Sequence, residues 1–443
     1  MTSRFDLLRR QASLPLIERH FPEEGIQADA IPLERLRVFQ DEAVRDVVAH
    51  AQAKSPFYQT KFAEAGVPLG SVKGVSDLPL LPFTTKDDLR GDPWRLLTCD
   101  KQDVSIVHVS TGTTGGEQIY IFHTWQDFFL NDLGIGYSSL VPVGPGDRCL
   151  NALPYEMSSA GLAFHKVFMD GCAATVIPVG KGGAYSTPAK TVKVMRDLEP
   201  TVVITTPSYA VTLAEAAAEA GLDLKSLPIH TMWVTGEGCS SAFRDRLQQI
   251  WGTVINSYYG SLEAGALGAE CAKHAGYHVM LGHVAVEIVD PKTGEPREPG
   301  EIGEIVATCL LRYGSPLIRY RTEDLGYLEW DQCECGVALP RLFLRGRLVD
   351  QVKVRGVEFS PYYLEEFLMR LPEVGLWYQF VVPEEGAEQL KIRAELQPGI
   401  EPTAQLADEL ASRLEFWVGV PCEFEFVDRL PRPGSKTLRV VRR

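Results

Sequence analysis

The 443-residue chain is 45% hydrophobic and 23% charged, ordinary globular proportions in a length that one compact core does not fill, so two or three structural units are expected. A formal net charge of −14 disfavours nucleic acid, whose phosphate backbone needs a basic partner surface, and apolar runs no longer than Val202-Val-Ile204 or Ile305-Val-Ala307 argue against a membrane helix. Nine cysteines at irregular spacings, behind an opening Met-Thr-Ser-Arg-Phe with no apolar signal-peptide core, point to a reducing, cytoplasmic setting without disulfides.

In chain order, Val44, Val47, Val48 and Ala51 recur at helical spacing within Asp41 to Gly66, which reads as one amphipathic helix. Ser105-Ile-Val-His-Val109 is strand-like and runs into Ser110-Thr-Gly-Thr-Thr-Gly-Gly116. From Thr187-Pro188, which opens a helix, the pattern alternates: a buried strand at Thr201 to Thr205, a helix from Ser208 to Ala220 stopped by Gly221, a strand at His230 to Val234, a helix from Ser240 to Trp251, and a strand at Val254 to Ser257. Repeated strand-helix-strand order means a largely parallel sheet. Beyond Gly282, short alternating strands and tight turns such as Asp290-Pro-Lys-Thr-Gly294 predict a small β-rich subdomain. The domain boundary is placed at Gly346-Arg347, with a helix over Pro361 to Leu371 opening a compact α+β unit.

Hydroxyls and glycines in Ser110 to Gly116 let a backbone approach an anion closely and present several N–H donors, although a surface turn has the same composition. The Gly-Lys-Ser/Thr ending of a Walker loop is missing, as are the Gly-x-Ser-x-Gly elbow and the His-Glu-x-x-His helix. Together with Tyr258-Tyr-Gly-Ser-Leu-Glu263, Arg319-Tyr-Arg-Thr-Glu-Asp324, Gly346-Arg347 and the late Lys436, this loop resembles the adenylate-forming superfamily of acyl-CoA synthetases, luciferases and adenylation domains. Ser55-Pro-Phe-Tyr58, Leu81-Pro-Phe-Thr-Thr-Lys-Asp-Asp-Leu89 and Cys333-Glu-Cys-Gly336 resemble its phenylacetate-CoA ligase branch, and the likeness spans nearly the whole chain.

The resemblance implies an α/β fold: a large N-terminal domain, residues 1–346, of mostly parallel sheets between helices with a β-rich subdomain, then a small mobile α+β domain, residues 347–443. It implies an enzyme that joins a carboxylic acid to coenzyme A through an acyl-adenylate, using ATP and Mg²⁺. Ser110, Thr111, Gly112, Thr113, Thr114 and Gly115 would hold the phosphates, and Glu263 the Mg²⁺. Asp324 and Arg347 would grip the ribose; Tyr259, Gly260 and the turn Gly236-Glu237-Gly238 would line the adenine. Lys436 would bridge carboxylate and α-phosphate in the first step and be withdrawn by domain rotation for the second. Tyr155, Met157 and Tyr209 would give an apolar pocket suited to an aryl or arylacetic acid. A homodimer is compatible with the sequence.

Three positions depart from the superfamily pattern. Gln118 stands where many members carry a lysine, Leu262 where a hydroxyl residue precedes the metal-binding glutamate, and Val349 at the first acidic position of the hinge. Cys333 and Cys335 place two thiolates close together, and with Cys271 and His278 they would suit a closed tetrahedral structural Zn²⁺, with His274 as the competing nitrogen ligand. Other acceptors for the activated group, a deazaflavin coenzyme or a carrier protein, and a non-catalytic nucleotide-binding protein are the alternatives.

Overall fold

The structure is a computed structural model that describes residues 15–20, 27–110, 117–133, 137, 139–383, 387–432 and 439–442. After a short helix α1 (Pro15–His20), helix α2 (Leu33–Lys54) buries Leu36, Phe39, Ala43, Val44, Val47, Val48 and Ala51 along one face. Helix α3 (Pro56–Glu64) adds Tyr58 and Phe62 to the same core. The single helix expected over 41–66 is therefore two. Pro56 lacks the N–H that would continue the ladder and forces Ser55 to extended backbone, φ −98° and ψ 113°, from which the Ser55 hydroxyl caps Tyr58 N–H.

Strands β1 (Val104–Val109) and β2 (Tyr120–Thr124) form an antiparallel hairpin that leads into α4 (Trp125–Leu133). The alternating stretch follows as β3 (Arg148–Asn151), α5 (Ala160–Lys166), β4 (Thr175–Pro178), α6 (Pro188–Leu198), β5 (Val202–Thr205), α7 (Pro207–Glu219), β6 (Thr231–Thr235), α8 (Ser241–Trp251) and β7 (Ile255–Ser261). Strands β4-β3-β5-β6-β7 lie side by side and parallel. Every residue of β5 and β6 is buried, because helices cover both faces, which is why their sequences are apolar without alternation. The helix starts are encoded locally: the side chains of Thr187, Thr206 and Ser240 accept N–H bonds from Lys190, Tyr209 and Phe243, with proline in the first turn of α6 and α7.

Strands β8 (Gly265–Glu270), β9 (Tyr277–Val279), β10 (Val284–Val289), β11 (Gly303–Cys309), β12 (Tyr320–Glu329) and β13 (Arg341–Arg347) continue the same sheet in antiparallel order. Its full order is β10-β11-β12-β13-β9-β8-β7-β6-β5-β3-β4, eleven strands. The β-rich part expected beyond Gly282 is thus one wing of a continuous sheet, attached through β9, which pairs with β13 on one side and β8 on the other. After β13 come the hairpin β14 (Val352–Val354) and β15 (Val357–Phe359), α9 (Pro361–Leu368), β16 (Val374–Val382), β17 (Leu390–Leu396), α10 (Ala404–Val418), β18 (Cys422–Phe426) and β19 (Val440–Arg442). Strands β16 to β19 make a four-stranded mixed sheet, β18-β17-β16-β19, apart from the β14–β15 hairpin, and α9 is three residues shorter than expected at its end. Leu364, Leu368, Tyr378 and Phe380 from this part share one apolar cluster with Phe243, Leu247 and Trp251 of α8.

Where the parallel and antiparallel wings meet, a buried ion pair ties helix to sheet. Arg244 Nη1 on α8 lies 2.9 and 2.7 Å from the two oxygens of Glu270 on β8, and Ser257 N–H donates to the same carboxylate at 2.7 Å. Removing one partner leaves a charge without compensation. Arg244→Met is expected to cost about 3–5 kcal/mol, read as a lower urea midpoint, and an unchanged midpoint would contradict the assignment.

Candidate active site

Strands β7, β12 and β13 each bring a side chain to the cluster at Asp324. Asp324 and Arg347 are register partners across β12 and β13, with Arg347 Nε 3.1 Å from Oδ1. The Tyr259 hydroxyl, carried in on β7, donates to Oδ2 at 2.7 Å. Burial pushes the Asp324 carboxyl above its ordinary range, and Arg347 and the Tyr259 hydroxyl pull against it. The neighbouring Glu323 sits in the left-handed region at φ 64°, which costs a non-glycine residue about 1–2 kcal/mol. Its surroundings fix that conformation: its N–H donates to Glu304 at 3.2 Å, its carbonyl accepts Leu348 N–H at 2.8 Å, and its carboxylate lies 2.7 Å from Lys86 Nζ and 3.7 Å from Arg347.

The two short motifs near the N-terminus brace this strand. Thr84 pairs with the entry of β12 through Thr84 N–H to Arg319 O and Arg321 N–H to Thr84 O, both 2.9 Å. The Thr84 hydroxyl donates to Ile318 O at 2.7 Å, and the Tyr58 hydroxyl donates to Pro316 O at 3.2 Å. Ser55-Pro-Phe-Tyr58 and Leu81 to Leu89 are therefore supports for β12 and the source of Lys86.

Gly260 is held so close to the returning β8 that a Cβ there would lie 2.4 Å from Gly265 O, so only glycine fits. Glu263, just beyond β7, is buried, its carbonyl accepting from Arg312, whose Nε donates to Ser315 O at 2.8 Å. The neighbouring Ser261 hydroxyl already accepts Ala264 N–H at 3.0 Å, and Leu262 brings no oxygen. The local set thus offers Mg²⁺ one carboxylate, which suits an ion that keeps water and substrate phosphates as its other ligands.

The turn at Gly236 to Gly238 is arranged differently from a simple ligand-lining loop. The Glu237 carboxylate is buried against Lys181 Nζ at 3.0 Å and the Ser208 hydroxyl at 2.9 Å, and it accepts Ser208 N–H at 3.2 Å. Burial raises its pKa, but Lys181 and Ser208 outweigh this and hold the carboxyl below its usual range. Its side chain is thereby committed within the protein. Lys181, Lys86 and Glu323 were not singled out from sequence; only the left-handed backbone and the ion pairs reveal them.

Ser110 N–H donates to Ile119 O and Ile119 N–H to the Ser110 hydroxyl, both at 2.9 Å, which closes the base of the segment between β1 and β2. Thr111, Gly112, Thr113, Thr114 and Gly115, and likewise Lys436, lie outside the described residues. Of the pocket residues, Met157 is half exposed at φ 57°, and its carbonyl accepts Val109 N–H at 2.8 Å, beside Ser110. The Tyr155 hydroxyl and His165 Nδ1 are 3.2 Å apart, and buried Tyr209 packs on Gly182, next to Lys181.

A second cluster lies behind β9. The ligand atoms of Cys271, His278, Cys333 and Cys335 are all within 4.8 Å of one another. Cys271 Sγ is 3.9 Å from Cys333 Sγ and Cys335 Sγ is 3.3 Å from His278 Nε2, near the ~3.8 Å edge of a tetrahedron with ~2.3 Å Zn–S bonds. His278 Nδ1 faces Leu339 O at 3.3 Å, the outer contact that orients a ligating imidazole. His274 is turned away, its Nε2 3.0 Å from Asn256 Oδ1. The donor set fits a structural Zn²⁺.

The chain is thus an α/β protein whose parallel and antiparallel wings are linked by the hydrogen-bonded Asp324–Arg347–Tyr259 cluster. The AMP-binding enzyme family matches residues 26–308 and the AMP-binding enzyme C-terminal domain matches residues 356–443, and the chain belongs to this family. It is 33% identical over 382 residues to a phenylacetate-coenzyme A ligase of Thermus thermophilus, covering 84% of this chain and 83% of that one. With the Escherichia coli phenylacetate-coenzyme A ligase it is 29% identical over 423 residues, 92% and 95% of the two chains. The fold matches a 2-hydroxyisobutyryl-CoA ligase in the postadenylation state with 2-HIB-AMP at TM-score 0.85 and 22% identity, over 93% and 90% of the chains. The same ligase in an open conformation gives 0.66, over 93% and 92%.

The raised Asp324 carboxyl has a definite pH signature. The folded chain binds this proton more tightly than the unfolded one, so the contribution to stability is full below the unfolded pKa and lost as pH rises through the folded pKa. Tyr259→Phe removes a donor to the carboxylate and is expected to move its titration to still higher pH, measured by carbon NMR of the Asp324 carboxyl; a downward move would contradict this geometry.

Proposed function

We propose that this protein is an ATP-dependent, AMP-forming carboxylate–CoA ligase acting on an aryl or arylacetic acid. The observation that carries the reading is the Asp324–Arg347–Tyr259 cluster, which links the two wings of the sheet. Relatives at 29–33% identity that bear the name phenylacetate-coenzyme A ligase support the substrate class.

In the first step the acid's carboxylate oxygen bonds to the α-phosphorus of ATP, and the bond to the β-phosphate oxygen breaks, releasing pyrophosphate. In the second, the CoA thiol sulfur bonds to the acyl carbon, AMP leaves with the bonding pair, and the thiol proton goes to solvent. Neither step needs a protein nucleophile, so placing the reactants and stabilising charge are the protein's contribution. Asp324 and Arg347 hold the ribose, Tyr259 and Gly260 shape the adenine site, and residues 110–115 cradle the phosphates. Glu263 would hold Mg²⁺, which neutralises phosphate charge when bound. Lys436 supplies a cation to the carboxylate and α-phosphate in the first step.

The two units, 1–346 and 347–443, would rotate about Arg347 to Asp350 between the steps. The higher TM-score against the postadenylation state, 0.85 against 0.66 for the open one, supports reading the present arrangement as that of the first step. The nine free thiols accord with a cytoplasmic setting, and no helix of the described residues is long and apolar enough to cross a membrane.

Acid-dependent pyrophosphate release, followed across aryl, arylacetic and aliphatic acids with and without CoA, tests the reading. An acyl-CoA identified by mass is expected; acyl-adenylate alone would indicate another acceptor, and ATP binding without turnover would contradict the ligase. Lys436→Ala is expected to leave ATP affinity nearly unchanged and slow adenylate formation by about 10²–10³-fold, and an unchanged rate would remove Lys436 from the mechanism. For the Cys271–His278–Cys333–Cys335 cluster, metal analysis of protein made with zinc supplied should return one zinc per chain, falling in Cys335→Ser; only trace metal would reject the site.

A further inference from the structure

The Gly236 turn runs directly into the start of α8, and that start is capped by another part of the chain. Ser240 N–H donates to Glu365 Oε1 at 2.7 Å and Ala242 N–H donates to Glu366 Oε2 at 2.9 Å, so two adjacent carboxylates of α9 sit on the first turn of α8. These are N–H groups that a helix leaves without an internal partner, at its positive end. Glu365 is 3% exposed, and its second oxygen is engaged from the other side by the Tyr378 hydroxyl. Arg439 completes the cluster. Its Nε lies 3.9 Å from Glu365, its guanidinium stands 4.2 Å from the Tyr378 ring centre and 5.2 Å from that of Phe243 on α8, and its backbone carbonyl accepts Phe380 N–H at 2.8 Å.

Every one of the contacts to α8 joins residues before the proposed hinge to residues after it. A buried carboxylate across such a boundary is an uncommon choice unless the boundary has to be definite in register and also able to part. Apolar packing alone tolerates sliding, whereas two carboxylates on two particular N–H groups do not. When the units separate, both carboxylates and both N–H groups can be taken up by water, so the contact is specific without being irreversible.

We propose that Glu365 and Glu366 are positioning residues for adenylate formation: seated on the first turn of α8, they latch the 347–443 unit in the arrangement used for the first step. The inference rests on the ligase reading above and adds to it the residues that select one arrangement. The latch acts in the first half-reaction only, because the second is carried out with the small unit turned away from α8.

Glu365→Gln and Glu366→Gln separate this from a merely structural role. With phenylacetate as the acid, exchange of pyrophosphate into ATP without CoA should fall about tenfold or more in Glu365→Gln and severalfold in Glu366→Gln, with the KM for ATP unchanged. Thioester formation from synthetic phenylacetyl-adenylate and CoA should stay at the unmodified rate. Amide hydrogen exchange over 240–246 should quicken while that over 255–261 does not. Loss of both half-reactions in equal proportion, or of neither, overturns the proposal; Glu366→Gln, whose side chain is partly solvated, keeps the test open should Glu365→Gln fail to fold. Absence of exchange in the unmodified protein across the acid panel overturns the ligase reading and this proposal together, whereas normal exchange with indifferent variants overturns the latch alone.

Discussion

The carboxylate of Asp324 is held between Arg347 on β13 and the Tyr259 hydroxyl on β7, and both wings of the sheet are needed to bring those three groups together. Tyr259 belongs to the last parallel strand and Asp324 and Arg347 to the antiparallel wing, joined in one sheet because β9 lies between β13 and β8 and pairs with both. Glu323 is kept in a left-handed conformation next to Asp324, and Lys86 comes from the other end of the chain to hold it there. Strain of this kind persists where the surroundings over-determine it. Arg347 is also where the chain leaves the large sheet. At Gly346, φ 109° and a Cβ position 2.1 Å from the Ser360 hydroxyl oxygen both demand glycine.

Net charge sets the second constraint. A chain of charge −14 does not attract a polyphosphate from a distance, so the binding energy has to be local. Three carboxylates in or beside the candidate motifs are neutralised within the chain: Glu237 against Lys181, Glu323 against Lys86, Asp324 against Arg347. Gln118, where many superfamily members have lysine, makes this local neutralisation more important.

Much of the fold was legible because it is encoded over short distances. Thr187-Pro188, Thr206-Pro207 and Ser240 announce helix starts by capping chemistry, and the β5 and β6 runs announce burial on both faces. The break at Ser55-Pro56 was legible in principle, since proline without an N–H interrupts a helix, yet the apolar spacing on either side masked it. Of the candidate site, Asp324, Arg347, Tyr259 and Glu263 are expected from motifs, and the structure brings the first three together. Lys86 and Glu323 stand in such motifs and Lys181 does not, yet no role could be read for any of them, because those roles depend on partners 56 and 237 residues away in sequence, which periodicity and composition do not register. The same is true of Glu365, whose partner on α8 is 125 residues distant.

The central claim is that the Asp324 cluster is the nucleotide clamp. Equilibrium binding of ATP to Asp324→Asn, compared with the unmodified protein by calorimetry in the presence of Mg²⁺, tests it most directly. The variant keeps the shape of the side chain and loses the charge-assisted bond it can offer a ribose hydroxyl, so an affinity loss of about tenfold or more is predicted. Undiminished ATP binding by a correctly folded Asp324→Asn protein would contradict the account.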